Sequence, residues 1–137
     1  MKSTFLLFLS VILLSACNSA DKKNSSSIND ADKAVILFEN EMHNFGSVAE
    51  GTKVTHTFNF KNTGKSPLII EDASASCGCT VPEYSNNPIQ PGQSGVIKVV
   101  FDTQGRAGLN DKVITVLSNA TEESVKLHLV GEVKLNK

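Results

Sequence analysis

Tryptophan is absent from this 137-residue chain and tyrosine occurs once, so a core has to come from aliphatic side chains and from seven phenylalanines. Phe5 and Phe8 sit in the opening apolar run, which leaves five for a folded domain. Lys and Arg are scattered: no basic block and no basic stripe with interleaved aromatics occurs, which excludes the electrostatic footprint of a nucleic-acid-binding surface. No basic peripheral membrane surface is visible either. A spanning anchor is excluded by length, because Phe5 to Leu14 as a helix would reach only about 15 Å against roughly 30 Å of bilayer hydrocarbon. Beyond that run, no stretch of eleven or more residues has helical periodicity. Cysteine is limited to Cys17, Cys77 and Cys79. No Cys-x-x-Cys pair or paired histidine is available to complete the four ligands of a closed zinc site.

What is present begins with an export signal. Lys2 supplies a positive start, Phe5 to Leu14 an apolar stretch, and small residues precede a cysteine. Leu14-Ser15-Ala16-Cys17 resembles a bacterial lipobox, which implies cleavage after residue 16 and acylation of Cys17. One acyl chain gives only marginal binding at about 0.8 kcal/mol per buried methylene, so the several chains of such a cysteine make a lasting tether. Removing residues 1–16 takes away Lys2 and no acidic residue, leaving 12 basic against 14 acidic side chains, a formal charge of −2. From Cys17 to about Lys33 the chain is rich in Ser, Asn, Asp and Lys; it buries too little to offset the entropy of ordering and reads as a flexible tether. As a coil, about 16 residues reach on the order of 20 to 24 Å. Residues 34–137 then form one domain of roughly 100 residues. The expected place is the bacterial cell envelope, at the outer rather than the inner membrane, with the domain outside the cytoplasm.

Within the domain, short apolar stretches recur between turn signals, the spacing of an all-β sandwich. Val54, His56, Phe58 and Phe60 alternate with Thr55, Thr57, Asn59 and Lys61, which places one set toward a core and the other toward water. Ile97, Val99 and Phe101 repeat the period, as do Val125, Leu127, Leu129, Gly131 and Val133, with Lys126, His128 and Glu132 outward. Val113 to Leu117 is apolar on both sides and suits a central strand. Turn chemistry falls at Asn62-Thr63-Gly64, Pro91-Gly92, Gly105 to Gly108 and Ser118-Asn119. About seven strands in this length read as an immunoglobulin-like antiparallel β-sandwich.

His43-Asn44-Phe45-Gly46, Gly51, Asn62-Thr63-Gly64, Pro67-Leu68, Ser76-Cys77-Gly78-Cys79-Thr80, Pro91-Gly92, Val100-Phe101-Asp102 and Leu129-Val130-Gly131-Glu132-Val133 together resemble the bacterial lipoprotein family labelled domain of unknown function 1573. The resemblance covers about Ile36 to Val133, and its most specific segment is Cys-Gly-Cys-Thr. That family is similar in fold to immunoglobulin-like modules of ciliary and centrosomal proteins, which implies protein binding without catalysis. Asn44 departs from the pattern, where an acidic residue is expected; an amide there keeps a hydrogen bond but not a charge.

Cys77 and Cys79 are the candidate site, as a disulfide or as ligands of a soft metal. Once Cys17 is acylated they form an even pair, and an oxidising compartment favours a bond or a metal over free thiols. In an extended strand their α-carbons stand about 6.6 Å apart, near the upper limit for a disulfide; Gly78 relaxes this by offering a positive φ. The bond would stabilise little, since the loop-entropy relation gives roughly 1.6 kcal/mol for three residues. Two thiolates suit copper(I), with Met42, His43 and His56 as the other soft or imidazole candidates. His56, on an apolar face, reads rather as an interior histidine, and Cys-Gly-Cys rather as a structural corner. Gly64-Lys65-Ser66 mimics a phosphate loop, but Asn59 replaces its first glycine and Pro67 follows, so it reads as a hairpin turn. Gly92-Gln93-Ser94-Gly95 lacks the second glycine of a nucleophile elbow and precedes a strand. The expected function is a lipid-anchored, non-enzymatic module that binds another envelope protein through its surface or an edge strand. The alternative is a copper(I)-binding or redox module using Cys77 and Cys79.

Overall fold

A computed structural model describes residues 32–135. The signal segment 1–16, Cys17 and the tether up to residue 31 lie outside the described residues. Eight strands are present among them: β1 (Ile36–Phe38), β2 (Met42–Ala49), β3 (Lys53–Asn62), β4 (Ile70–Ala75), β5 (Thr80–Tyr84), β6 (Ser94–Asp102), β7 (Gly108–Ser118) and β8 (Ser124–Lys134). They form two four-stranded sheets, β1-β3-β6-β5 and β2-β8-β7-β4. The immunoglobulin-like sandwich is thus the fold, with two corrections to the expected strand plan. There are eight strands rather than about seven, and the β2–β8 pair is parallel while the other pairs are antiparallel. A parallel pair needs a long connection between its strands; β2 and β8 are separated by most of the domain.

The alternation read from the sequence sets the core. Phe58, Phe60, Ile97, Val99, Phe101, Leu127 and Leu129 are all buried, joined by Leu68, Ile114, Val116 and Val133. β7 lies between β8 and β4, a central position. The phenylalanines pack with tilted rings: Phe38 against Phe60 at 5.3 Å and Phe45 against Phe101 at 5.9 Å between centroids. Close packing also explains two glycines. The Phe60 ring occupies the space a Gly95 side chain would need, and the Phe45 ring does so at Gly131. Phe45-Gly46 and Leu129-Val130-Gly131 are therefore one packing unit spread over β2 and β8.

The chain changes sheet between β3 and β4, so Asn62-Thr63-Gly64-Lys65-Ser66 is a crossover corner and not the expected hairpin turn. Asn62 holds it from inside the protein, 0% exposed. Its Nδ2 donates to Ser66 O (2.8 Å) and Ile89 O (2.9 Å), while its Oδ1 accepts from Gly64 N (3.0 Å) and Val35 N (3.4 Å). One amide satisfies groups from three chain segments, which makes the burial of a polar side chain tolerable. Among the described residues, no buried side-chain nitrogen or oxygen lacks a partner.

Candidate functional site

The second crossover of interest joins β4, the outer strand of one sheet, to β5, the outer strand of the other. Cys77 and Cys79 lie in the turn between them and are joined by a disulfide with α-carbons 5.3 Å apart. This is shorter than the extended-strand spacing. The shortening comes from the turn itself, because Gly78 does not take a positive φ and open space surrounds the position its side chain would fill. The expected role for glycine freedom at residue 78 is thus corrected. Backbone bonds frame the turn: Ser76 N to Val113 O (2.9 Å), Thr80 N to Cys77 O (3.2 Å) and Asp102 N to Cys79 O (2.8 Å). Cys79 packs against the core, both cysteines are half-buried, and the buried Thr80 places its Oγ1 at 3.7 Å from Cys77 Sγ and 3.9 Å from Cys79 Sγ.

Met42, His43 and His56 are not brought to this pair. β2 and β4 are opposite edges of one sheet, and in the other sheet β6 separates β3 from β5, two strand spacings or about 10 Å. His43 and His56 instead stack on each other across the gap between the sheets, centroids 3.6 Å apart and planes 6° from parallel. Ring lone pairs lie in the ring plane, so a face-to-face stack does not aim two of them at one ion. His56 also meets the Phe58 ring edge-on at 4.6 Å. Burial lowers the His56 pKa from its ordinary value, and the charge of a protonated His43 lowers it further. Both sulfurs of a disulfide are unavailable as thiolates, the form that takes copper(I). Among the described residues no group of three or more His, Cys, Asp and Glu converges as a metal site.

A further region emerges only from strand register. On the outer face of β2-β8-β7-β4, cross-strand neighbours run Met42, His128, Val113; then Asn44, Val130, Asp111; then Ser47, Glu132, Leu109. Leu109 is 90% exposed and Met42 61%. Between these apolar side chains His128 Nδ1 lies 3.0 Å from Asp111 Oδ1. Asn44, Gly46, Leu109, Val130 and Glu132 line an open cleft of about 470 Å³. Its floor follows from the bulge in β2: register shifts between Asn44 and Ser47, Gly46 takes φ +73°, and Asn44 Oδ1 accepts from Gly46 N at 2.8 Å. The hydrogen bond expected of Asn44 is there, made by an amide. Sequence reading passed over Leu109, Val130 and Asp111. The available signal was Leu109 directly after Gly108, an apolar residue at the start of a strand whose outward register it shares with Asp111.

The free edges are less open than the faces. β2 carries the bulge, β4 a register shift between Ile70 and Asp72, β5 has Pro82 and Glu83 in a five-residue strand, and β1 is three residues long. Short, bulged and proline-bearing edges are the usual guards against strand addition.

Solved structures share this architecture. A protein of unknown function from Porphyromonas gingivalis W83 matches with a TM-score of 0.68 at 15% identity, over 80% of this chain and 51% of that one. The ASH/PapD-like domain of human CEP192 (PapD-like domain 7) matches at 0.62 and 9% identity, over 100% of this chain and 99% of that one. The secreted serine protease VesC from Vibrio cholerae matches at 0.56 and 12% identity, over 76% of this chain but 24% of the protease. The chain spans about half the length of the Porphyromonas protein and about a quarter of VesC, and at these identities the likeness is one of fold. No curated protein matches by sequence. The profile of one family covers residues 36–133, including the Cys-Gly-Cys-Thr corner and the Phe45–Gly131 packing unit, and by that match the chain belongs to the family described as Protein of unknown function (DUF1573).

Proposed function

We propose that this protein is a lipid-anchored, non-enzymatic binding module of the bacterial cell envelope. It is held at the outer membrane through acylated Cys17 and takes another envelope protein on the outer face of β2-β8-β7-β4. The observation that carries the reading is the register of that face, which sets Leu109, 90% exposed, beside Val130 and the His128–Asp111 pair. Single exposed leucines are ordinary, whereas apolar residues grouped around a polar pair are how interfaces combine affinity with orientation. The guarded edges favour a face over strand addition.

The test is site-specific photo-crosslinking in intact envelopes. A crosslinker at Leu109 should give a discrete protein adduct that Val130→Asp weakens at least tenfold, while one at Thr57, on the outward register of the other sheet, should give none. Equal adducts from both positions would defeat the proposed face. The anchor is tested separately by mass spectrometry: Cys17 should carry acyl chains at the mature N-terminus, and an unmodified Cys17 terminus would remove the lipid from the proposal.

A further inference from the structure

We propose that Cys77 and Cys79 form a reversible redox site that exchanges its disulfide with the dithiol of another protein, with Cys77 the sulfur attacked and Thr80 the positioning residue that receives the departing thiolate. The inference does not rest on the binding face, whose Leu109, Asp111, His128 and Val130 lie on β7 and β8.

Three observations carry it. The disulfide is reachable: it sits in a half-buried turn between two edge strands, and Gly78 at its apex puts no side chain over the sulfurs. The two sulfurs differ in packing: both cysteines are half-buried, but Cys79 packs against the core cluster and Cys77 does not belong to it, which makes Cys77 the sulfur assigned to the incoming nucleophile. Thr80, 4% exposed, holds a hydroxyl within 3.9 Å of both sulfurs, and with no proton on either sulfur the hydroxyl is the donor. A donor aimed at a sulfur has its largest effect when that sulfur becomes an anion, because hydrogen bonding to the charged form lowers its pKa, and a thiol of lower pKa leaves faster.

The turn also does not need the bond to keep its shape. Ser76, Cys77 and Cys79 are tied by backbone hydrogen bonds to Val113, Thr80 and Asp102, and a ring closed over so few residues removes little entropy from the unfolded chain. The site can therefore cycle without the sandwich opening. A partner thiolate attacks Cys77 Sγ, the S–S bond breaks, a mixed disulfide forms on Cys77, and Cys79 leaves as a thiolate facing the Thr80 hydroxyl. The partner's second thiolate then attacks its own sulfur in the mixed disulfide and releases Cys77. The partner dithiol is oxidised by two electrons to a disulfide, the Cys77–Cys79 pair is reduced, and the two protons lost by the partner end on Cys77 and Cys79.

The experiment equilibrates the full chain with reduced and oxidised dithiothreitol in varied ratio, alkylates free thiols, and assigns them by peptide mass so that Cys17 is counted apart. Melting is followed on the same samples. The expected result is reversible reduction of the pair with the melting temperature changed by only a few degrees. With oxidised glutathione as probe, Cys79→Ser should form a mixed disulfide at Cys77 at least tenfold faster than Cys77→Ser does at Cys79. Thr80→Val, which keeps shape and removes the hydroxyl, should lower the reduced-to-oxidised ratio at fixed buffer at least threefold, and Thr80→Ser should restore it. Reduction that occurs only where the domain unfolds, equal reactivity of the two single cysteines, or an unchanged ratio in Thr80→Val would each overturn the proposal.

Discussion

Two of the corners that carry the chain from one sheet to the other, those after β3 and after β4, are held in opposite ways. At the first, a fully buried Asn62 amide makes four hydrogen bonds to three chain segments. At the second, a covalent bond joins two residues that are already neighbours in the chain. The covalent corner is the weaker constraint. A disulfide stabilises by what it removes from the unfolded chain, and over three residues that is little. A buried amide stabilises through what its loss would strand, and each orphaned donor or acceptor costs about 1–3 kcal/mol. Difference in bond strength is therefore a poor guide to difference in contribution.

The core sets the upper scale for testing this contrast. Phe58→Ala or Phe101→Ala should lower stability by about 3–5 kcal/mol in denaturant melts, since each removes a large side chain that is 1% exposed or less. Asn62→Ala should come close behind at about 3 kcal/mol, because Ser66 O, Ile89 O and Gly64 N lose their partner together; a loss under about 1 kcal/mol would mean that the corner relaxes and the contrast fails. Cys77→Ser with Cys79→Ser should cost about 2 kcal/mol or less, and collapse of folding in that variant would reverse the ranking of the two corners.

A smaller effect is expected with pH at the stacked His43 and His56 rings. The folded pKa of His56 is lowered, so the folded state binds fewer protons than the unfolded state between that value and about 6.5, and stability rises with pH across the interval. The melting temperature should fall as pH drops below about 6.5 and level off once the folded-state His56 is protonated. His56→Gln should flatten this slope, as read by melts at several pH values; an unchanged slope would assign it to other groups. Smallest of all, Thr57→Ala and Lys126→Ala, both exposed, should leave stability within about 0.5 kcal/mol. Losses as large as those of the inward residues would show that the strand register is wrong.

Period-two alternation is a local property, so the inward set of Phe58, Phe60, Ile97, Val99, Phe101, Leu127 and Leu129 and the two-sheet immunoglobulin-like class were legible without coordinates. The place of Cys77 and Cys79 in one short segment was legible for the same reason. β2 was harder to read, because Gly46 interrupts its alternation with a bulge and its partner β8 lies at the far end of the chain. Asn62 looked like an ordinary turn residue, since its value lies in reaching Val35 and Ile89, each 27 positions away. The stacking of His43 on His56, the nearness of the Thr80 hydroxyl to both sulfurs, and the grouping of Leu109 with Val130 were likewise decided by strand order and side-chain placement. By itself, then, the sequence determined which residues turn inward and where the chain turns, since both are set by neighbours along the backbone. Only the tertiary structure decided which distant strands meet, because pairing between segments depends on how whole faces pack and not on any residue's immediate neighbours.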